Sequence, residues 1–187
     1  EIVAFHDEEI TMSGSRGYAA DNQNIHCFLE LHVEQGPILE TAGYDIGVVT
    51  GIVGQRRVHF TVFGEPNHGG TTPMTMRNDA LVRAAEAITY INMKATRDES
   101  ITATVGHLEV SPNEFSIIPG RVDFTLQLRD VSAAKMDQFV NDVIERFNFA
   151  YEFTESQEPI RCARHIQKAV RQAASSLDLS QFTLPSR

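Results

Sequence analysis

Val58, Phe60 and Val62 alternate with His59 and Thr61, which predicts a half-buried strand ending at Gly64. After a loop rich in Gly, Pro and Asn, Leu81, Ala84, Ala85, Ile88 and Ile91 recur at helical spacing, and the helix is expected to end before Arg97-Asp98. Residues 101–110 read as a second strand and 122–129 as a third. In the third, Val122, Phe124, Leu126 and Leu128 take one face, and Asp123, Thr125, Gln127 and Arg129 the other. Ser132 is a suitable N-cap for a helix whose buried stripe is Met136, Phe139, Val140, Val143 and Phe147. A fourth strand is expected at 149–153. The order β-α-β-β-α-β is that of the ferredoxin-like arrangement, two helices on one face of an antiparallel sheet. This places such a domain at 48–155 in an α+β chain.

The flanks follow another pattern. Residues 2–5 are a continuous apolar run, as in a strand buried on both faces of a parallel sheet. Pro159 is expected to open a further helix containing Cys162, Ile166, Val170, Ala173 and Leu177, and 181–187 reads as a strand or loop that starts and then stops. Residues 1–47 and 156–187 are therefore assigned to fragments of a separate α/β domain, and the chain is read as a piece of a longer protein or as one lacking segments.

Composition narrows the function classes. Among 187 residues, 16 Lys and Arg face 25 Asp and Glu, a net charge of -9 that argues against nucleic-acid binding. No apolar run nears the roughly 20 residues of a membrane helix, and the start lacks the basic flank of a signal peptide. The two cysteines, Cys27 and Cys162, form no CxxC pair and are expected to be reduced and buried in a cytosolic protein, with a disulfide as the alternative.

Four places carry candidate chemistry. Asp7-Glu8-Glu9 directly follows the first apolar run, where open α/β sheets bind ligands at strand ends; a solvated acidic turn is the alternative. In residues 29–37, His32 lies among apolar positions with Glu30 and Glu34 beside it, and imidazole with carboxylate is a ligand set for catalytic divalent metals. Standing alone, a histidine so placed is more often a hydrogen-bonded core residue than a ligand. Residues 67–74 join a strand to a helix; Gly69 and Gly70 permit close backbone approach, and the helix N-terminus offers amides to an anion, unless the segment is only a flexible turn. Arg129, on the polar face at a strand end, can reach a carboxylate bidentately or form an ion pair with Asp130 or another acid.

Together these segments resemble the hydantoinase/carbamoylase type of amidohydrolase, within the dinuclear metallopeptidase clan of aminoacylases and carboxypeptidases. The likeness runs from residue 1 to about 155 and rests on EIVAFHDEE, FLELHVEQGPILE, VVTGIVGQRR with NHGGTTPMTMRNDAL, and IIPGRVDFTLQLRD. It implies a ferredoxin-like lid and dimerisation domain beside parts of a metal-binding catalytic domain. It implies Glu8 as general acid/base, Glu9 and His32 as metal ligands, and His68 as the lid histidine that polarises the scissile carbonyl in the partner subunit's site. Arg129 resembles the arginine that holds the substrate carboxylate, with Gln35, Gln55, Arg56 and Ser116 lining the pocket. The implied cofactors are two divalent metal ions, zinc or manganese, with cobalt possible. The implied partners are a small-molecule carboxylate and a second copy of the chain, without nucleic acid or membrane.

The implied reaction is hydrolysis of the ureido C–N bond of allantoate or an N-carbamoyl-L-amino acid, releasing ammonia and carbon dioxide. The chain departs from the pattern in places. No His-x-Asp pair precedes Glu1, and the family's further C-terminal histidine ligand would lie beyond Arg187; Ser116 stands where the family usually has Asn. Two other readings therefore stay open: a non-catalytic dimerisation and substrate-clamp fragment, or a related aminoacylase or dipeptidase.

Overall fold

The alternating apolar residues of β2 (Gly54–Phe63) find their partners in β4 (Arg121–Asp130), its antiparallel neighbour from Gly54↔Asp130 to Phe63↔Arg121. The structure, a computed structural model, describes residues 3, 6, 13–22 and 24–186. Two further antiparallel strands, β3 (Thr102–Ser111) and β5 (Ala150–Gln157), complete a four-stranded sheet of order β3-β4-β2-β5. Helices α3 (Ala80–Thr96) and α4 (Ala133–Phe147) connect β2 to β3 and β4 to β5. Both helices cover the same apolar face. Val58, Phe60, Val62, Val122, Phe124, Leu126 and Leu128 meet Ala84, Ala87 and Ile91 of α3 and Met136, Phe139, Val140 and Val143 of α4. Phe60 and Phe124 stack at 5.2 Å at its centre.

Local chemistry sets the helix ends. Asp79 accepts from the amides of Leu81 and Val82 at the start of α3. Ser132 caps α4 through the Lys135 amide, and Asn148, at φ 50, turns its C-terminus. The predicted strands and helices of this region agree with the structure to within a few residues.

The polar face of the sheet is a lattice of cross-strand pairs. Arg57 meets Glu155 at 2.7 Å, and Asp123 binds Arg121, Thr61 and His59. The Arg121 guanidinium, then Thr61 and His59, hold the Asp123 carboxyl down to about 2 against the effect of burial. A folded-state value below the unfolded one means that this stabilisation, about 2 kcal/mol, is fully present above about pH 4 and is lost as pH falls through about 2. Urea unfolding of Asp123→Asn should therefore show a midpoint less sensitive to pH between 4 and 2 than the parent's. An unchanged pH slope would remove Asp123 from the acid response.

The chain divides into two compact units, residues 1–43 and 44–187. The second unit also contains β1 (Ile46–Ile52), which runs parallel to β7 (Gln181–Ser186) and antiparallel to β6 (Ile160–Arg161). Helix α5 (Arg164–Ser176) packs on β1. This corrects the expectation for the C-terminal helix. Cys162 precedes it, Leu177 is its exposed C-cap, and Ala174 is its buried residue. Residues 160–161 form a strand because Gly51 opposite lets the Ile160 carbonyl approach where a Cβ would stand 2.7 Å away.

The first unit contains α1 (Ser13–Asp21) and α2 (Ile38–Ala42). The strand expected at 2–5 lies outside the described residues except for Val3, which is exposed and in no strand. Both cysteines are free; Cys27 is exposed rather than buried, and Cys162 is half-buried. Among the described residues, no helix is long and apolar enough to cross a membrane.

Candidate functional site

The loop that carries His68 is held in place at both ends. β2 and β4 keep pairing beyond their last rungs: the Gly64 amide donates to the Gly120 carbonyl at 2.8 Å, and the Ile118 amide to the Asn67 carbonyl at 2.8 Å. His68 and Ile117 then form an isolated bridge, and the Gly69 amide donates to the Ser116 carbonyl at 2.6 Å. A Cβ at Gly69 would sit 3.0 Å from that same oxygen, so the glycine is what permits this closeness. Arg77 clamps the loop from within, its guanidinium donating to the carbonyls of Thr72 and Gly69. The flexible-turn alternative is not what the structure shows.

His68 itself is exposed, and its ring is oriented. The Gly70 amide donates to Nδ1 at 3.0 Å, so Nδ1 is an acceptor and the neutral ring carries its proton on Nε2. That leaves an Nε2–H donor on an exposed side chain. The expected anion site at the following helix N-terminus is not present, because Asp79 already takes the Leu81 and Val82 amides.

Arg129 lies on the polar face at the other end of the strands, directly opposite Gln55. Its neighbour Asp130 points the opposite way, is fully buried, and accepts from Ser100 and the Ser132 amide. The ion pair considered for Arg129 and Asp130 is thus not made, and Arg129 has no carboxylate partner among the described residues. Gln127 occupies the space between Arg129 and Gln55 on the same face. Sequence reading had placed Gln127 on this face without giving it a role; its position two residues from Arg129 was the available signal.

Arg56, expected beside the substrate, is committed elsewhere. It has the parity of Val58 and Phe60, so it turns toward the helix layer and is only 4% exposed. Its guanidinium donates to Asp137 at 2.7 Å, Glu158 at 2.6 Å and the Gln157 carbonyl at 2.9 Å, and these acids hold its pKa above the ordinary value. Both acids are more than half exposed, so removing Arg56 leaves them able to reach water. Arg56→Ala should lower unfolding stability by about 1–3 kcal/mol and leave binding of small carboxylates unchanged. A large loss of carboxylate affinity without destabilisation would return Arg56 to the pocket.

In the first unit His32 is 64% exposed at its side chain and pairs with Glu30 at 3.2 Å. Leu31 and Val33 beside it are also exposed, so no core encloses His32 among the described residues. Glu34 is used locally, its carboxylate accepting from the Ile38 and Leu39 amides at the start of α2. Gln35 is exposed. Glu8 and Glu9 lie outside the described residues. Among the described residues, no group of three or more His, Cys, Asp or Glu side chains is placed to hold a metal ion. His32 alone does not make such a centre.

The second unit thus brings His68 together with Ser116, and Arg129 with Gln55, as two separate clusters. Eight register steps of the β2–β4 ladder separate Phe63↔Arg121 from Gln55↔Arg129. At the usual rise this puts the clusters about 26 Å apart along the strands.

The sequence matches the profile of Peptidase family M20/M25/M40 over residues 1–186. It is 36% identical over 171 residues to an N-carbamoyl-L-amino acid amidohydrolase of Geobacillus stearothermophilus, covering 87% of this chain and 42% of that protein. It is 41% identical over 122 residues to the allantoate amidohydrolase of Escherichia coli (strain K12), covering 65% of this chain and 30% of that one. The crystal structure of an amidase of the hydantoinase/carbamoylase family from Burkholderia multivorans superposes with a TM-score of 0.77 at 35% identity, over 84% of this chain and 41% of that chain. The chain spans about two fifths of the length of such relatives.

Proposed function

Because the chain belongs to peptidase family M20/M25/M40, we propose that it forms the lid and substrate-clamp part of an amidohydrolase. The reaction is hydrolysis of the ureido C–N bond of a small carboxylate, an N-carbamoyl-L-amino acid or allantoate, releasing ammonia and carbon dioxide. The observation that carries this reading is the His68 loop, whose backbone is pinned by hydrogen bonds and whose exposed ring accepts at Nδ1, leaving Nε2–H as a donor. A preset donor of this kind stabilises the oxyanion that develops when water adds to a carbonyl carbon. It needs no rearrangement as charge appears.

Arg129, uncompensated on its sheet face, holds the substrate carboxylate and so orients the ureido group. Gln55 and Ser116 border these two contacts. Glu8 is the proton carrier in this reading, taking a proton from water and returning it to the departing nitrogen. Arg56 is left out, since its donors are spent on Asp137, Glu158 and backbone carbonyls.

The separation of about 26 Å along the strands prevents His68 and Arg129 of one chain from touching one small substrate. Two copies of the chain remove the difficulty, each lending its His68 loop to a site that holds the other's Arg129. The βαββαβ order with strands arranged β3-β4-β2-β5 supports a ferredoxin-like domain over 48–155 as the pairing element.

The test is hydrolysis measured as ammonia release with N-carbamoyl-L-amino acids, allantoate, N-acyl amino acids and dipeptides as substrates. Each is assayed after chelation and with added zinc, manganese or cobalt. Turnover confined to ureido substrates and restored by a divalent ion is expected. Preference for acyl or peptide bonds would move the protein to the aminoacylase or dipeptidase side, and turnover unaffected by chelation would end the metal-dependent reading.

A further inference from the structure

On the polar face of the sheet, four cationic or potentially cationic side chains are matched to carboxylates. Arg57 meets Glu155 at 2.7 Å, Arg121 meets Asp123 at 2.6 Å, His59 meets Asp123 at 3.2 Å, and His107 meets Glu109 at 3.4 Å. Arg129 is the exception among the described residues of that face. Its neighbours there are the neutral amides of Gln127 and Gln55, which approach each other at 2.7 Å. The amide orientation that leaves no donor facing a donor turns the Gln127 oxygen toward Arg129. That oxygen then accepts from Nε at 3.2 Å and from Nη2 at 3.0 Å, and with the Gln55 amide turned in the same way its NH2 group donates to the same oxygen at 2.7 Å. Gln55 is almost fully buried and sits opposite Arg129 in the register, so the row is anchored at its far end.

We infer that Gln127, backed by Gln55, is a positioning residue that aims the Arg129 guanidinium without neutralising it. A carboxylate at position 127 would orient Arg129 equally well, but it would occupy the charge that a substrate carboxylate needs. A neutral acceptor fixes the Nε edge and one Nη2 proton and leaves the rest of the fork open to an incoming anion. The inference deepens the reading of Arg129 as the carboxylate clamp and rests on it.

The experiment titrates the full chain with N-carbamoylglycine and with its uncharged amide, N-carbamoylglycinamide, following the Arg129 Nε–H resonance by NMR. In the parent, the acid and not the amide is expected to move that resonance. Gln127→Glu should weaken binding of the acid by about tenfold or more, because the new carboxylate competes for the guanidinium. Gln127→Asn should keep the charge preference, whereas Gln127→Leu should broaden the Nε–H signal and weaken the acid only. Unfolding midpoints of the variants, measured alongside, separate these effects from loss of fold. If Gln127→Glu binds the acid like the parent while Arg129→Ala does not, Gln127 has no such role and the clamp stands. If Arg129→Ala binds like the parent, or the parent shows no preference for the acid, the clamp itself falls and this inference with it.

Discussion

At substrate concentrations well below KM, mixing His68→Ala chains with Arg129→Ala chains should restore hydrolysis that neither variant supports there alone. Each variant by itself damages every site. Loss of an oxyanion donor costs roughly 10²–10³ in kcat, so His68→Ala dimers are nearly silent. Arg129→Ala dimers fail at low substrate because the carboxylate is no longer held. In a mixed dimer built by exchange of loops, one site receives both damaged residues and the other receives both intact ones. With random exchange half the dimers are mixed, and each has one good site of two, so about a quarter of the parental rate is expected. The physical basis is the ladder from Gln55↔Arg129 to Phe63↔Arg121, which keeps the two clusters at opposite ends of one chain. If His68 and Arg129 served the same site from the same chain, every site in a mixed dimer would lack one of them. Mixed dimers isolated through two different tags and found as inactive as the parent variants would therefore refute the exchange.

Replacing Arg129 should separate substrates by charge. Two charge-assisted hydrogen bonds to a carboxylate are lost in Arg129→Ala, which should raise KM by roughly ten- to a hundredfold for carboxylate substrates. The kcat is expected to change less, and amidated analogues should be processed as before. Lys restores the charge without the planar fork, so Arg129→Lys should recover only part of the loss. The check is a pair of kcat and KM measurements on a carbamoyl amino acid and its amide. Equal losses on both would make Arg129 part of the sheet's framework rather than a clamp. The local structure argues for the clamp, because Asp130 faces the core and leaves Arg129 without an acid beside it.

Much of the four-stranded sheet and its two helices was legible because their signals are local and periodic. Alternation along β2 and β4, the helical stripe of Met136, Phe139, Val140 and Val143, and the Ser132 cap each report an element directly. The family resemblance was carried by motifs of the same local kind, and residues 1–186 match the family. The flanking segments were less legible. A two-residue strand at Ile160–Arg161 has no periodicity to read, and it exists because β1 offers an edge with Gly51 opposite. The helix predicted from Pro159 was displaced for that reason.

Of the candidate site, the sequence by itself determined which residue types stand at His68, Ser116, Gln55 and Arg129 and which strand face the last occupies. Only the tertiary structure decided their company. Parity placed Arg56 beside Val58 on the helix side, but its burial against Asp137 and Glu158 required α4 and the end of β5 to be in position. Likewise, the Gly70 amide fixes the tautomer of His68, and the Ser116 carbonyl meets Gly69 from a loop nearly fifty residues away in the chain. Sequence spacing records which way a side chain faces along its own element. Which donors and acceptors meet it depends on register between elements, and hydrogen bonds across that register set its charge, its orientation and whether it remains free for a ligand.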